Sequence, residues 1–359
     1  TVNSNERSCP GPVQCIGSLY FCINLFFTYM DFHLAFTPGK MPDKLNYRQP
    51  VLLLGSCFTE NMGEKLIQHK FNVLQNPNGI LFNPVSVKEA VENYISNRQI
   101  DEKDIFYLQD GWHSWQHHSR FSSPDPKKTI EQINLSTQKA HYFLQSDAVV
   151  IITLGSAWVY ELTEKAAGAI PGRVAANNHK APADWFRRRL LGAGELQEIL
   201  WQLVKKLQAF NPLLKIIFTI SPVRHLREGF VENNRSKALL IHAVHSIIEQ
   251  FSHLYYFPAY ELVIDDLRDY RFYAEDMVHP NYAATQYVWQ KFIACCIDEP
   301  SQLFMQKVNE INAAKNHRAF NPESEAHKKF LALTYQKLLV LQEQYPGINL
   351  EEEFQYFKG

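Results

Sequence analysis

The sequence predicts an α/β fold built around a parallel β-sheet, and three stretches carry that expectation. "VLLLG" (51–55), "AVVIITLG" (148–155) and "KIIFTISPV" (215–223) are short, continuously apolar runs, as strands buried on both faces require. Residues with helical spacing separate each run from the next. Strands that alternate with helices form parallel sheets joined by crossovers.

Taken in order, the first run ends on Gly55, and "TENMGEKLIQHK" follows with Met62, Leu66 and Ile67 at helical spacing. A second strand is expected near "FNVLQN", then the turn-rich "NPNGILFNP" (76–84) and a helix around 86–96. "IFYLQDGWHSWQHHSRF" (105–121) places Asp110-Gly111 between aromatic-rich arms, which signals a hairpin. A helix over about 127–146 leads to the strand closing on Gly155. Residues 161–194 read as a loop carrying "VAANNHKAP" and an arginine cluster at 187–189, taken as a solvated helix start or tail. A helix at 195–210, the strand from 215, a helix over roughly 234–252 and a further strand in "LYYFPAYELVI" come next. "DMVHPNYAATQYVWQKFIACCI" supplies a loop and helix. Residues 301–359 read as two polar amphipathic helices that either cover the core or join two copies.

The 359 residues carry 46% hydrophobic and 13% aromatic side chains, enough for a sizeable core. A formal charge of −1 provides no basic field for nucleic acid or anionic lipid, so neither is an expected partner. The six cysteines, at 9, 15, 22, 57, 295 and 296, lack CxxC spacing and imply no disulfide framework or zinc site. "IGSLYFCINLFFTYM" is too short for a stable membrane span and lacks the flanks of a signal peptide. Residues 1–29 therefore read as an extension of a cytoplasmic protein, a degenerate export or anchor signal being the other reading.

In parallel sheets, the loops leaving the carboxyl ends of the strands build the site. Here they gather Ser56, Asn78-Gly79, Gly155-Ser156, Ser221 to His225, and the loop with Asp276 and His279. Ser56 sits where a strand becomes a helix; it is either a helix cap or a hydroxyl projecting from the sheet edge. In "EDMVHPNYAATQYVW" (275–289), Asp276 and His279 are three apart before a helix, so the carboxylate can hold the imidazole in one tautomer. A serine nucleophile needs that base and that orienting acid. Cys57 competes as a thiol nucleophile. Adjacent residues point opposite ways, however, which favours Ser56 with Cys57 under the sheet. His113, His117 and His118 lack the H-E-x-x-H glutamate, so no metal site is expected; these aromatic and histidine residues wall a cleft or pack as a lid.

At this combination the chain resembles the GSCFA family of the SGNH (GDSL-like) hydrolase superfamily. "GSCF" at 55–58 is the name-giving motif, and "NPNGILFNP", "ITLGSAWVYE", "ANNHKAP", "ISPVRHLREG", "RSKALL" and "DMVHPNYAA" follow in the expected order. The resemblance implies a flavodoxin-like three-layer α/β/α hydrolase domain over 30–300, with an aromatic-rich hairpin insertion and a helical extension at 301–359. It implies an esterase or acyltransferase without cofactor, acting on an acylated carbohydrate or small acyl ester. Ser56 matches the nucleophile, Asp276 and His279 the last block, and Gly79 the second-block backbone donor. The third block normally reads G-x-N-D, but "GSAW" puts Ala157 at the Asn position, so Ser156, Asn78 and Asn178 become candidate third donors. An unreplaced donor costs about 10²–10³ in rate. His118, His179 and Arg224 are the remaining candidates for substrate contact. A non-catalytic carbohydrate-binding module on the same fold is the alternative that the missing Asn suggests.

Overall fold

A computed structural model describes residues 33–34 and 36–358; the extension at 1–29, with three of the cysteines, lies outside the described residues. Five parallel strands form the central sheet. They are β1 (Val51–Gly55), β2 (Val73–Gln75), β5 (Val149–Leu154), β8 (Lys215–Ile220) and β9 (Leu254–Tyr256), in the order β2-β1-β5-β8-β9. Counting sheet strands alone, that is 2-1-3-4-5, the flavodoxin-like arrangement, whose order reverses between β1 and β5.

The continuous apolar runs are explained by burial on both faces. Leu52, Leu54, Val150, Ile152, Ile216 and Phe218 share one cluster with Val87, Ala140, Leu200 and Leu240. Those four belong to α2 (Pro84–Ile95), α3 (Pro126–Gln145), α4 (Ala193–Phe210) and α5 (Phe230–Gln250). Val51, Leu53, Val149, Ile151 and Ile217 share the opposite cluster with Phe58 and Leu66 of α1 (Cys57–Gln68) and Val288 of α7 (Tyr282–Cys296). Three layers result.

Two antiparallel pairs lie outside the sheet. β3 (Phe106–Leu108) and β4 (Gly111–His113) form the expected hairpin, but its turn is Gln109-Asp110, with φ of 47° and 62°, and Gly111 already pairs with Leu108. Two positive φ values make the primed turn that fits strand twist. The stretch expected as loop instead contains β6 (Trp158–Leu162) paired with β7 (Phe186–Leu190). The arginine cluster is thus strand rather than helix terminus. Glu161, buried, accepts bonds from Arg187 Nε at 2.9 Å and Arg189 Nε at 2.7 Å. Burial alone would raise the Glu161 pKa; the two guanidiniums outweigh it and hold the carboxyl below its usual range.

The "LYYFPAYELVI" strand stops at Tyr256. Its second half becomes a short turn α6 (Ala259–Glu261) running into a π-helix at Leu262–Leu267. The C-terminal segment contains three helices, α8 (Glu299–Asn316), α9 (Glu325–Gln344) and α10 (Glu351–Phe357), instead of two. They dock on the end of α1: Asn312 Nδ2 donates to Gln68 O at 3.1 Å, and Lys70 pairs with Glu353 at 2.5 Å. No helix among the described residues is long and apolar enough to cross a membrane.

Gly55 ends β1 at φ 141°, and a Cβ there would lie 2.1 Å from Thr153 O. Because that neighbour is backbone in the adjacent strand, relief requires moving the sheet. Gly55→Ala is therefore expected to lower stability by about 3 kcal/mol or more, read as a shift in the urea unfolding midpoint.

Candidate active site

Ser56 follows Gly55 at the sheet edge where the strand order reverses. It occupies the N-cap position of α1 with φ −73° and ψ 176°, yet its side chain makes no capping bond. The hydroxyl is buried without a hydrogen-bond partner. A buried hydroxyl normally has one; the hydroxyls of Thr59, Ser86 and Thr219 share this state, and Ser56 differs from them in sitting at the strand-to-helix turn on the carboxyl edge of the sheet. Gly155, ending the neighbouring strand, defines the space in front of it. A methyl on Gly155 would lie 3.4 Å from Ser56 Cβ, 3.3 Å from Phe82 Cδ1 and 3.0 Å from His225 Nε2. Phe82 and His225 meet edge to face at 5.1 Å and close this space.

Asp276 and His279 are held by a tight loop. Tyr273 bridges Pro280, Ala274 N–H donates to His279 O at 2.8 Å, and Met277 takes φ 56°. Asp276 Oδ1 accepts the amides of Val278 and His279 at 2.9 and 3.0 Å, and its Oδ2 lies 2.6 Å from His279 Nδ1. The His279 amide, then its imidazole, push the Asp276 carboxyl down to about 2, so it is ionised at neutral pH. With Nδ1–H given to the carboxylate, His279 Nε2 is left as the acceptor nitrogen. Arg224 fastens this loop to the one leaving β8: its amide donates to Val278 O and its Nη1 to Met277 O, each at 3.3 Å. Its guanidinium covers Tyr273 at 4.1 Å. The next residue, His225, is the one that reaches Gly155.

The "NPNG" loop is locked. Asn76 Oδ1 accepts Gly55 N–H at 3.0 Å, and its Nδ2 is buried without a partner. Asn78 receives the Tyr94 hydroxyl at 2.5 Å and donates one Nδ2 hydrogen to Gln116 O at 3.0 Å, which fixes the orientation of its amide. Gly79 has φ 83°, and a Cβ there would meet His118 Cβ at 2.1 Å. Its N–H donates to Asn76 O at 2.7 Å, while Ser56 N–H donates to Thr153 O at 3.2 Å. Ser156 gives its amide to Phe82 O and accepts Trp158 N–H on Oγ at 3.0 Å.

His118 is half-buried beside Gly79, and its neighbour Arg120 bonds Asn76 O, so the hairpin insertion walls this side of the loop. His179 is instead built into the insertion: it bonds Ser114 O at 2.8 Å and the Ser119 hydroxyl at 3.0 Å, and burial pushes it down to about 4. Asn178, next to it, accepts Ala181 N–H on its carbonyl. Phe106 stacks on Trp115 at 3.9 Å, and both are buried. His113 has both ring nitrogens bonded, to Ser122 Oγ and Leu108 O. Cys57 lies at the start of α1, half-buried against the cluster of Val51, Leu53 and Phe58, and burial pushes its thiol up.

One buried cation sits behind these groups. Lys237, fully enclosed, donates Nζ to Gly155 O and Ser221 O, both at 2.7 Å, tying together the loops that leave β5 and β8. Burial pushes its pKa down to about 7. The adjacent Ser236 hydroxyl accepts Ala157 N–H at 2.7 Å.

Two family models match the chain: the GSCFA family over residues 50–292, and the GSCFA domain protein C-terminal domain over residues 308–359. The chain belongs to the GSCFA family. No curated protein matches it. Among solved structures, it is similar to a carbohydrate esterase family 3 protein from Talaromyces cellulolyticus, at 9% identity and TM-score 0.32, covering 73% of this chain and 99% of that one. An acetyl xylan esterase from the rumen bacterium Butyrivibrio proteoclasticus matches at 10% identity and TM-score 0.32, covering 75% of this chain and 66% of that one.

In this GSCFA protein, the structure gathers Ser56, Gly79, Ser156, Arg224 and the Asp276–His279 pair on loops at one sheet edge, with His118 alongside. His179 belongs to the insertion's own packing. Sequence reasoning gave no role to Lys237, Ser236 or Asn76, and noted His225 only as a loop neighbour. The available signal was "RSKALL": a lysine in the apolar half of a helix start that turns out to be buried. Lys237→Met would leave two strand-end carbonyls without donors. It is expected to lower stability by about 2–5 kcal/mol, measured by urea denaturation at pH 7.5.

Proposed function

We propose that this GSCFA protein is a serine-dependent carboxylic-ester hydrolase or O-acyltransferase of the SGNH type, acting on an acylated carbohydrate or small acyl ester. The observation that carries this reading is the buried, unpartnered Ser56 hydroxyl at the strand-order reversal, with the ionised Asp276 holding His279 on a loop fastened to the adjacent strand exit. Ser56 Oγ attacks the acyl carbon as His279 Nε2 takes its proton. The carbonyl π pair moves to oxygen, and collapse expels the alcohol with the proton returned from His279. Water or a second alcohol then repeats the sequence on the acyl-serine. Asp276 keeps His279 in the Nδ1–H tautomer throughout. Ser56 is fully enclosed and its hydroxyl unbonded, so substrate entry moves Phe82 away from His225, and the hydroxyl–imidazole bond forms only in the substrate complex. Partly exposed Arg120 and Phe121, beside His118, offer a surface on which a sugar ring can stack.

The test is a panel of short-chain aryl esters and acetylated sugars assayed with wild type and Ser56→Ala. Turnover that disappears in the variant supports the reading. No turnover on any member, or activity abolished by iodoacetamide and retained in Ser56→Ala, contradicts it.

A further inference from the structure

An oxyanion forming at Ser56 needs donors that are not already bonded. The two backbone amides nearest in role, of Ser56 and Gly79, donate to Thr153 O and Asn76 O, the side-chain amide of Asn78 is bonded to Tyr94 and Gln116, and Asn76 Nδ2, buried without a partner, is the competing donor. Ala157 offers no donor beyond its amide, which is bonded to Ser236. Among the described residues, one imidazole nitrogen is sealed from solvent with no partner, and it is His225 Nε2. It packs on the same face of Gly155 as Ser56 Cβ does.

Resting on the serine-hydrolase reading above, we infer that His225 is a catalytic residue of this site, donating Nε2–H to the oxyanion that forms when Ser56 adds to the acyl carbon. Three features of its surroundings suit that role. His225 is held from behind, its amide accepted by Asn233 Oδ1 at 2.9 Å. It is neutral at working pH, since burial, then the charges of Lys237 and His279, push it down to about 3. A neutral imidazole donates without transferring its proton, and an N–H with no acceptor in the resting site strengthens its bond only when charge appears on the substrate oxygen. No proton leaves His225 in any step; the one that moves travels between Ser56 Oγ, His279 Nε2 and the leaving alcohol. Lys237, behind Gly155, donates Nζ to the Gly155 carbonyl and so fixes the backbone against which His225 and Ser56 sit.

The experiment compares wild type, Ser56→Ala, His225→Ala, His225→Gln and Asn76→Ala on the best aryl ester, with inhibition by phenylboronic acid, whose adduct on serine is tetrahedral and anionic. His225→Ala is expected to lower kcat by about 10²–10³-fold with KM changed only a few-fold, and to weaken boronate binding by a similar factor. His225→Gln, whose amide donates but cannot act as a base, is expected to recover at least a tenfold share of the loss, and it decides the matter should His225→Ala fail to fold. The inference is overturned if His225→Ala stays within threefold of wild type while Ser56→Ala is inactive. It is equally overturned if His225→Gln is folded and as inactive as Ser56→Ala, which assigns His225 as the base, or if only Asn76→Ala shows the loss. Wild type without ester turnover or boronate binding would remove the serine reading itself, a result distinct from all of these.

Discussion

Replacing Ser56 by alanine is expected to lower kcat/KM on an activated ester by about 10⁴-fold or more, because the step it performs has no substitute in the site. Its immediate neighbour supplies the control. Cys57 packs against the cluster of Val51, Leu53 and Phe58, and burial pushes its thiol pKa up, so Cys57→Ala is expected to retain activity within a few-fold. His279→Ala should fall nearly as far as Ser56→Ala, since the hydroxyl then lacks a base. Asp276→Asn should fall less: the amide keeps the loop's shape but no longer fixes the Nδ1–H tautomer as a charge does. Steady-state assays of the four purified variants, with circular dichroism to confirm folding, check the order. A Cys57→Ala variant less active than Ser56→Ala would reverse the assignment of the nucleophile.

The second large effect is on stability in mild acid. Burial pushes His117 and His225 down to about 3 and His179 to about 4. In the unfolded chain all three titrate near 6.5, so below that pH the unfolded state binds up to three more protons than the native state. More protons on the unfolded side means stability falls as pH falls. At about 1.4 kcal/mol per pH unit for each proton, the slope approaches roughly 4 kcal/mol per unit near pH 5 and ends as pH passes below the native values. A domain with a typical margin of 5–15 kcal/mol would unfold by about pH 4. Urea titrations from pH 7.5 to 4.5 measure the slope, and His117→Gln should reduce it by about a third. Unchanged stability between pH 7 and 5 would show that these imidazoles are not buried neutral in the native protein.

Much of the frame was legible because it rests on local composition. A strand covered on both faces must be apolar throughout, and β1, β5 and β8 announce themselves that way. The reading failed where long-range partners set the structure. β7 carries Arg187 and Arg189 because a buried glutamate lies across from them, which no window of the sequence reveals. The strand beginning at Leu254 was read too long, since Pro258 turns the chain into α6 and the π-helix while the residues stay apolar for burial.

The site divides in the same manner. Asp276 and His279 are three residues apart, so their contact could be read from spacing. Ser56 could be placed from the strand before it, although whether it caps α1 could not; only its unbonded hydroxyl distinguishes the two. Lys237 falls on the buried stripe of α5 with Leu240 and Val244, but what its ammonium bonds could not be read, because its acceptors are the exits of two strands far off in sequence. His225 is similar: a single histidine in a loop acquires meaning only when Gly155 and Ser56 are beside it in space.

The most direct measurement of the central claim is covalent labelling with an alkyl fluorophosphonate, followed by peptide mass spectrometry of folded wild type and His279→Ala. The account predicts one adduct per chain, on the peptide containing Ser56, and its disappearance when the imidazole is removed. Folded wild-type protein that acquires no adduct, or an adduct that persists unchanged in His279→Ala, would contradict it.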